Sequence, residues 1–322
     1  TEDRGIFVQT KWRLDEHSQF NLGLRNDHNS VFGGSTTLRG GYVGNFGAWG
    51  FKALYGQAYQ EPAPRVLYGG WAGSGSDPNL SPEKSDTLEL SASFTERRYS
   101  GLLSLWKVKD TDTIITVKPG TDNGKGAQNL GERDITGADL HGQLLMAPSF
   151  LKQVKLWAFY SHYFKTDERK FMFNAASSAF DRLGTGEIGD LAKDKFWMGV
   201  TAAFNDLFDV TLRARYVGAR RAVDTNMRND QPGAPVTVVP SYSTLDLNGN
   251  FKWRKVWLSF KVENLLDKQY FHPGVRSGGA GFVPGVFAGD NVTYSGGSGY
   301  DYYSSLLAPP GRRFQAPLKR HF

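Results

Sequence analysis

Few side chains in this 322-residue sequence stand where covalent chemistry would need them. Cysteine is absent, which removes thiol catalysis, Cys-type zinc sites and disulfide scaffolds together. The histidines, at 17, 28, 141, 162, 272 and 321, are scattered, and none stands at a metal-ligand spacing. Gly124-Lys125-Gly126 lacks the spacing and the serine or threonine that cradle a phosphate. Asp110-Thr111-Asp112 is not followed by the glycine and distal glutamate of a calcium loop. No Gly-x-Ser-x-Gly elbow occurs. No enzyme, catalytic residue, metal site or cofactor is expected. What remains is non-covalent recognition. Arg65, Tyr68 and Trp71 share one polar stretch, and Arg220 stands beside Arg221 in another. Tyr294, Tyr300, Tyr302 and Tyr303 lie with Phe282 and Phe287 in a glycine-rich segment, 272–307. Aromatic faces among glycines suit an adaptable surface for a partly aromatic or sugar-like ligand. The same rings could equally pack loop against loop.

The elements that carry these residues repeat with period two, the mark of strands with unlike faces. Val256, Leu258, Phe260 and Val262 alternate with Trp257, Ser259, Lys261 and Glu263. Leu88, Leu90, Ala92 and Phe94 alternate with Glu89, Ser91 and Ser93. No stretch has a helical period. The pattern predicts thirteen strands, over 5–14, 19–28, 36–46, 48–59, 84–96, 99–117, 132–147, 152–167, 193–205, 208–221, 241–252, 255–271 and 308–322. Connections at 15–18, 47, 97–98, 148–151, 206–207 and 253–254 are short. Those at 29–35, 60–83, 118–131, 168–192, 222–240 and 272–307 are long, and the two kinds take turns.

Aromatics gather at the short connections: Phe46 and Trp49, Phe94 and Tyr99, Phe204 and Phe208, and Phe251, Trp253 and Trp257. Long strands, short turns at one end, long loops at the other and rings at the turns predict an all-β antiparallel transmembrane barrel. Composition fits. Glycine is frequent at 38 residues and aromatics make up 14%, a load that needs burial and argues against disorder. Mean hydropathy is −0.44, and no apolar run approaches the ~20 residues of a membrane helix. A barrel keeps such a low average because only alternate residues meet lipid. The net charge is +6, yet the long connections are net acidic, so the cations concentrate on strands. Lys52, Arg213, Arg215 and Lys261 fall on the wet face. No Lys/Arg cluster is interleaved with aromatics, so nucleic acid is not an expected partner.

Five segments in order then resemble one family. They are Tyr55-Gly56-Gln57-Ala58-Tyr59-Gln60-Glu61-Pro62-Ala63-Pro64, then Asp77-Pro78-Asn79-Leu80-Ser81-Pro82-Glu83-Lys84-Ser85 with Glu89, then Gln128-Asn129-Leu130 with Ile135-Thr136-Gly137-Ala138-Asp139. Asn264-Leu265-Leu266-Asp267-Lys268-Gln269-Tyr270 and Pro310-Gly311-Arg312-Arg313-Phe314, with the final Phe322, complete the series. Together they resemble the C-terminal part of TonB-dependent outer-membrane receptors. Asp77 replaces the usual asparagine and Asp139 the usual glutamate.

The resemblance implies a barrel of about 22 strands closed by an N-terminal plug. Thirteen strands alone would leave two unpaired edges, and no signal peptide opens the sequence. Residues 1–322 are therefore expected to be the C-terminal portion of the barrel, without the plug and early strands. Structural roles are expected for Pro82, Glu83, Ser85, Glu89, Asn129, Gly137, Asn264, Asp267, Tyr270, Gly311 and Arg312, and a barrel-assembly role for Phe322.

By the same resemblance the protein is a Gram-negative outer-membrane transporter of a bulky ligand, first of all a ferric siderophore. Its implied partners are the plug and remaining strands, the TonB energy-coupling complex, lipid and lipopolysaccharide. The basic wet face would meet acidic plug residues or guide an anionic ligand. Residues 62–80 lack the histidine typical of haem receptors, which weighs against haem. Carbohydrate or cobalamin uptake, or a non-transporting surface barrel, are the alternatives.

Overall fold

The computed structural model describes residues 2–69, 76–116, 127–174, 177, 179–221, 238–273, 306–307, 309 and 311–320. Eight long strands come first: β1 (Asp3–Arg13), β2 (Ser18–Asn29), β3 (Gly33–Phe46), β4 (Trp49–Gln60), β5 (Glu83–Thr95), β6 (Tyr99–Thr116), β7 (Ala127–Met146) and β8 (Gln153–Asn174). One short helix, α1 (Pro64–Tyr68), lies between β4 and β5. Next come β9 (Ala179–Glu187), β10 (Asp194–Ala203), β11 (Phe208–Val217), β12 (Arg220–Arg221), β13 (Val238–Val239), β14 (Tyr242–Trp253) and β15 (Val256–Glu263). Four short pieces close the series: β16 (His272–Pro273), β17 (Leu306–Leu307), β18 (Arg313–Gln315) and β19 (Leu318–Arg320).

The main sheet runs β1-β2-β3-β4-β5-β6-β7-β8-β10-β11-β14-β15-β18, antiparallel between neighbours, with β9 paired to β8 and β19 to β15. Thirteen positions thus follow one another along the meander, as the alternation predicts. Register carries one apolar row across the whole sheet. Leu90 faces Leu105, Leu103 faces Leu140 and Leu144 faces Leu156. Met198 pairs with Ala214, Leu212 with Leu247, and Phe251 with Leu258. The other face holds Glu89, Ser91, Ser104, Asp139, Arg213, Asp246 and Lys261.

The apolar face is exposed, Leu140 by 52% and Leu90 by 49%. In water such a face would cost far more than the fold could recover; against lipid it is matched. The buried apolar cluster among the described residues is small. Leu67, Leu80 and Ala127, with Val66 and Ile114, pin α1 and the 77–82 segment to β6 and β7.

At the short-turn end the rings meet as expected. Trp49 lies 4.8 Å from Phe94, Phe94 5.7 Å from Tyr99, and Phe204 5.2 Å from Phe208. The turns are closed by side-chain oxygens: Asp15 Oδ1 accepts the His17 and Ser18 amides, and Asn205 Oδ1 those of Leu207 and Phe208.

Several expected boundaries shift. The 29–35 connection shrinks to 30–32, because Asn29 Oδ1 accepts the Val31 amide at 2.7 Å and Gly33 adopts φ +83°. It is shorter than 147–152, so short and long connections do not strictly take turns. Much of 168–192 is strand, as β8 and β9 extend into a hairpin. The strand expected over 208–221 ends at Val217, where the Gly218 amide donates to the Asp194 carbonyl. That expected over 255–271 ends at Glu263, because Asn264 turns at φ +51°. The last expected strand, 308–322, is split into β18 and β19 around Pro317, which cannot donate to a ladder. Helix α1 was not expected; Pro64 at its first turn supplies the helical φ.

Candidate functional site

Where β11 and β14 reach the long-loop end, register puts Arg215 opposite Thr244 and Val217 opposite Tyr242 on the polar face. Beyond Val217 the chain leaves the main sheet, and Arg220 and Arg221 pair with Val239 and Val238. After β15, Asn264 holds a tight turn. Its Oδ1 accepts the Lys268 amide and its Nδ2 donates to the Lys268 carbonyl, each at 2.9 Å. The Asn264 amide donates to Asp246 Oδ1 at 2.9 Å, and the Leu265 amide to the Leu245 carbonyl. Asp267, at φ +52°, accepts the Arg312 amide at 2.7 Å. The turn therefore carries residues 268–272 toward the start of β14.

Five side chains converge there. Tyr242 and Tyr270 stack with centroids 4.1 Å apart. His272 meets both edge-on, at 5.2 Å from Tyr270 and 5.9 Å from Tyr242. The Arg215 guanidinium lies 5.6 Å from the Tyr242 centroid and donates to the Tyr270 hydroxyl at 3.3 Å. Arg220 donates to the Phe271 carbonyl at 3.2 Å. Arg220 is 6% exposed and Tyr242 5%. Among the described residues neither Arg215 nor Arg220 has a carboxylate partner, and the Nε atoms of both are buried without a hydrogen bond. Burial, and then the charges of Arg215 and Arg220, hold the His272 imidazole below its ordinary pKa. The cluster is a desolvated cationic corner with aromatic walls.

Three other cations of the polar face are paired with carboxylates, whereas Lys195 lies over the Tyr163 ring at 5.1 Å. Arg213 donates to Asp246 at 3.1 and 2.5 Å. Lys261 and Arg313 both engage Glu263.

The sequence-picked residues are dispersed. Arg65 and Tyr68 sit on exposed turns of α1, at the β5–β7 end of the sheet. Arg221 is exposed and donates to the Glu187 carbonyl at 3.4 Å, while Arg220 turns into the cluster. Trp71, Tyr294, Tyr300, Tyr302, Tyr303 and Phe322 lie outside the described residues.

The motif residues mostly make backbone bonds. Asn129 Oδ1 accepts the Ser81 amide at 2.9 Å, while its Nδ2 donates to the Ser81 and Asp112 carbonyls. This clamps the segment before Pro82 onto the β6 bulge. Glu83 Oε1 accepts the Ile114 amide. Glu89 accepts the Ser91 and Ser104 hydroxyls at 2.7 and 2.9 Å. Ser85 pairs with Ala58 and Asp110 in the ladder. Gly137 lies beneath the Trp106 ring, and a Cβ there would come within 2.5 Å of it. Gly311 lies against Asp267 in the same way, its Cβ position 2.7 Å from Oδ1.

Sequence reasoning passed over Tyr242 and His272 and placed Arg215 only as one cation of the wet face. Strand parity alone identifies Arg215 and Tyr242 as facing the same way; nothing local brings His272 to them.

Residues 1–265 match the family model described as TonB dependent receptor-like, beta-barrel. The chain belongs to that family. TonB-dependent receptors are transporters and receptors rather than enzymes, and their barrels lie in the Gram-negative outer membrane. No helix among the described residues is long and apolar enough to cross a membrane; a barrel crosses with strands.

Similar solved receptors include a mutant of the ferric enterobactin receptor PfeA of Pseudomonas aeruginosa, with TM-score 0.70 and 17% identity. The match covers 99% of this chain and 45% of that one. The siderophore receptor PirA of Acinetobacter baumannii gives 0.71 and 16%, over 99% and 46%. A curated relative, heme/hemopexin utilization protein C of Haemophilus influenzae, is 23% identical over 263 residues, 68% of this chain and 33% of its own length. The receptor chain thus spans about a third of that curated relative's length and just under half of these structures.

Proposed function

We propose that the chain is the C-terminal part of a receptor barrel that takes up a bulky iron-bearing ligand by TonB-dependent active transport, first of all a ferric siderophore. The observation that carries this reading is a TonB-dependent barrel sheet whose polar face ends, at the long-loop rim, in a cationic-aromatic corner with no carboxylate partner among the described residues. A ferric chelate that is planar and anionic in part has the chemistry such a corner favours. In this reading the rim and polar face capture the ligand, a plug blocks the lumen at rest, and TonB-driven movement of the plug opens the path. Lipid and lipopolysaccharide surround the apolar face.

Haem is the second reading. It is favoured by the name of the Haemophilus influenzae relative and by the uncharged imidazole of His272 beside the two arginines. It runs against the lack of histidine over residues 62–80.

Uptake of radioactive iron into cells with and without the gene, energised or treated with an uncoupler, tests the proposal. Gene- and energy-dependent uptake of a ferric siderophore is the expected outcome. Uptake of haem iron alone would select the second reading. Iron uptake indifferent to gene and energy would sink both.

A further inference from the structure

The Arg215–Arg220 corner is costly as it stands. A buried guanidinium nitrogen without an acceptor loses its water and gains nothing in return, and here two such nitrogens lie within one aromatic enclosure. Arg213, Lys261 and Arg313 on the same face each have a carboxylate. Among the described residues Arg215 and Arg220 instead spend one N–H each on neutral oxygens, the Tyr270 hydroxyl and the Phe271 carbonyl. His272, uncharged between them, adds a polar edge without adding repulsion.

Guanidinium forks prefer planar oxyanions, and the half-buried Tyr270 ring, backed by the buried Tyr242, stands beside them. Arg220 is held by its neighbours rather than free to reach solvent, so its guanidinium is preorganised.

We propose that Arg215 and Arg220, walled by Tyr242, Tyr270 and His272, bind a ring-borne oxyanion of the transported ligand. The shared chemistry is a planar, negatively charged oxygen group on an aromatic or conjugated ring. A haem propionate and an iron-bound catecholate both supply it. The inference rests on the uptake reading above and deepens it by naming the ligand group and the residues that take it.

The test is ligand binding to the full receptor in detergent, read by tryptophan quenching, for wild type, Arg215→Gln, Arg220→Gln and Arg220→Lys. Four probes separate charge from shape and one source from the other: haem, haem with both propionates esterified, a ferric catecholate and an uncharged ferric hydroxamate. The expected result is that each glutamine variant weakens an anionic probe about tenfold or more, as loss of a buried charged hydrogen bond does. The lysine variant retains part of the affinity, and uncharged probes are unaffected. Which anionic probe responds names the source.

Heat-modifiable migration on gels reports whether each variant folds. If the glutamine variants do not, the wild type decides by salt: affinity for the anionic probe falls with ionic strength and that for its neutral partner does not. Equal affinity for charged and uncharged probes, or no binding of either anionic probe, would falsify the assignment. Unchanged ligand affinity with weakened barrel–plug association would hand the guanidiniums to a plug carboxylate and overturn it too. Energy-dependent uptake surviving intact in Arg215→Gln and Arg220→Gln defeats this site alone, whereas uptake independent of energy defeats the transport reading.

Discussion

At the scale of single residues, His272 shows how a neighbourhood sets protonation. Arg215 of β11, Arg220 of β12, Tyr242 of β14 and Tyr270 all face it. Burial and the two positive charges favour its neutral form, so its folded pKa lies below that of the unfolded chain, about 6.5. Below pH 6.5 the unfolded chain takes up a proton that the folded one refuses. The group's contribution to stability is therefore fully present above about pH 6.5 and declines as pH falls through the window beneath it. Thermal unfolding of the receptor should show a steeper loss on acidification for wild type than for His272→Gln, and parallel curves would contradict this placement. An oxyanion bound beside His272 would reverse the sense for binding, since it stabilises the protonated ring.

At the scale of elements, the strands do more than cross a membrane. Above the apolar row, one face of β6, β7 and β8 carries Lys107, Lys109, Glu132, Asp134, Lys165, Asp167 and Arg169, joined in ion pairs such as Lys165–Asp134 at 2.7 Å. The acids of these pairs are half-buried and most of the lysines exposed, and such pairs are worth little singly, but the ladder lets the sheet continue into water. Below it, Leu103 and Leu140 face lipid, while Gln143, paired with Ser100 and Trp157, belongs to the polar face. Leu103→Lys should cost about 2–4 kcal/mol, as cations on a lipid face do. Gln143→Lys, with a wet environment, should cost under about 1 kcal/mol. Urea unfolding of the full receptor in lipid vesicles measures both, and equal losses would refute the facing.

At the scale of the whole molecule, the exposed apolar face and the bonded polar face are one property seen from two sides. No helix layer or second sheet covers the apolar row among the described residues, so lipid must. A fluorophore on Leu90→Cys should be quenched by brominated acyl chains, and one on Thr87→Cys, on the other face of β5, should not. Quenching of both, or of neither, would break the assignment of faces. The same division explains where charge is tolerated. Arg213, Lys261 and Arg313 are neutralised by Asp246 and Glu263. Arg215 and Arg220 at the rim have no carboxylate partner among the described residues, and their proposed partner comes from outside the sheet.

The sequence by itself determined the meander, its thirteen positions, its two faces and its family. Side chains of a strand alternate strictly, so the faces can be counted off residue by residue. Alternation lost its force beyond the apolar row. Glu168–Asn174 and Ala179–Glu187 pair in one ladder, but no hydrophobic alternation marks either run. Asn129 and Asn264 were legible as motif members, but that one clamps Ser81 and the other turns the chain at Lys268 is a fact of backbone geometry. The candidate site was least legible. Arg215, Arg220, Tyr242, Tyr270 and His272 come from separate strands and connections, and only the register of β11 with β14 and the turn at Asn264 bring them together. Burial and the lack of an acceptor belong to that assembled corner, not to any residue in it, so only the tertiary structure could decide them.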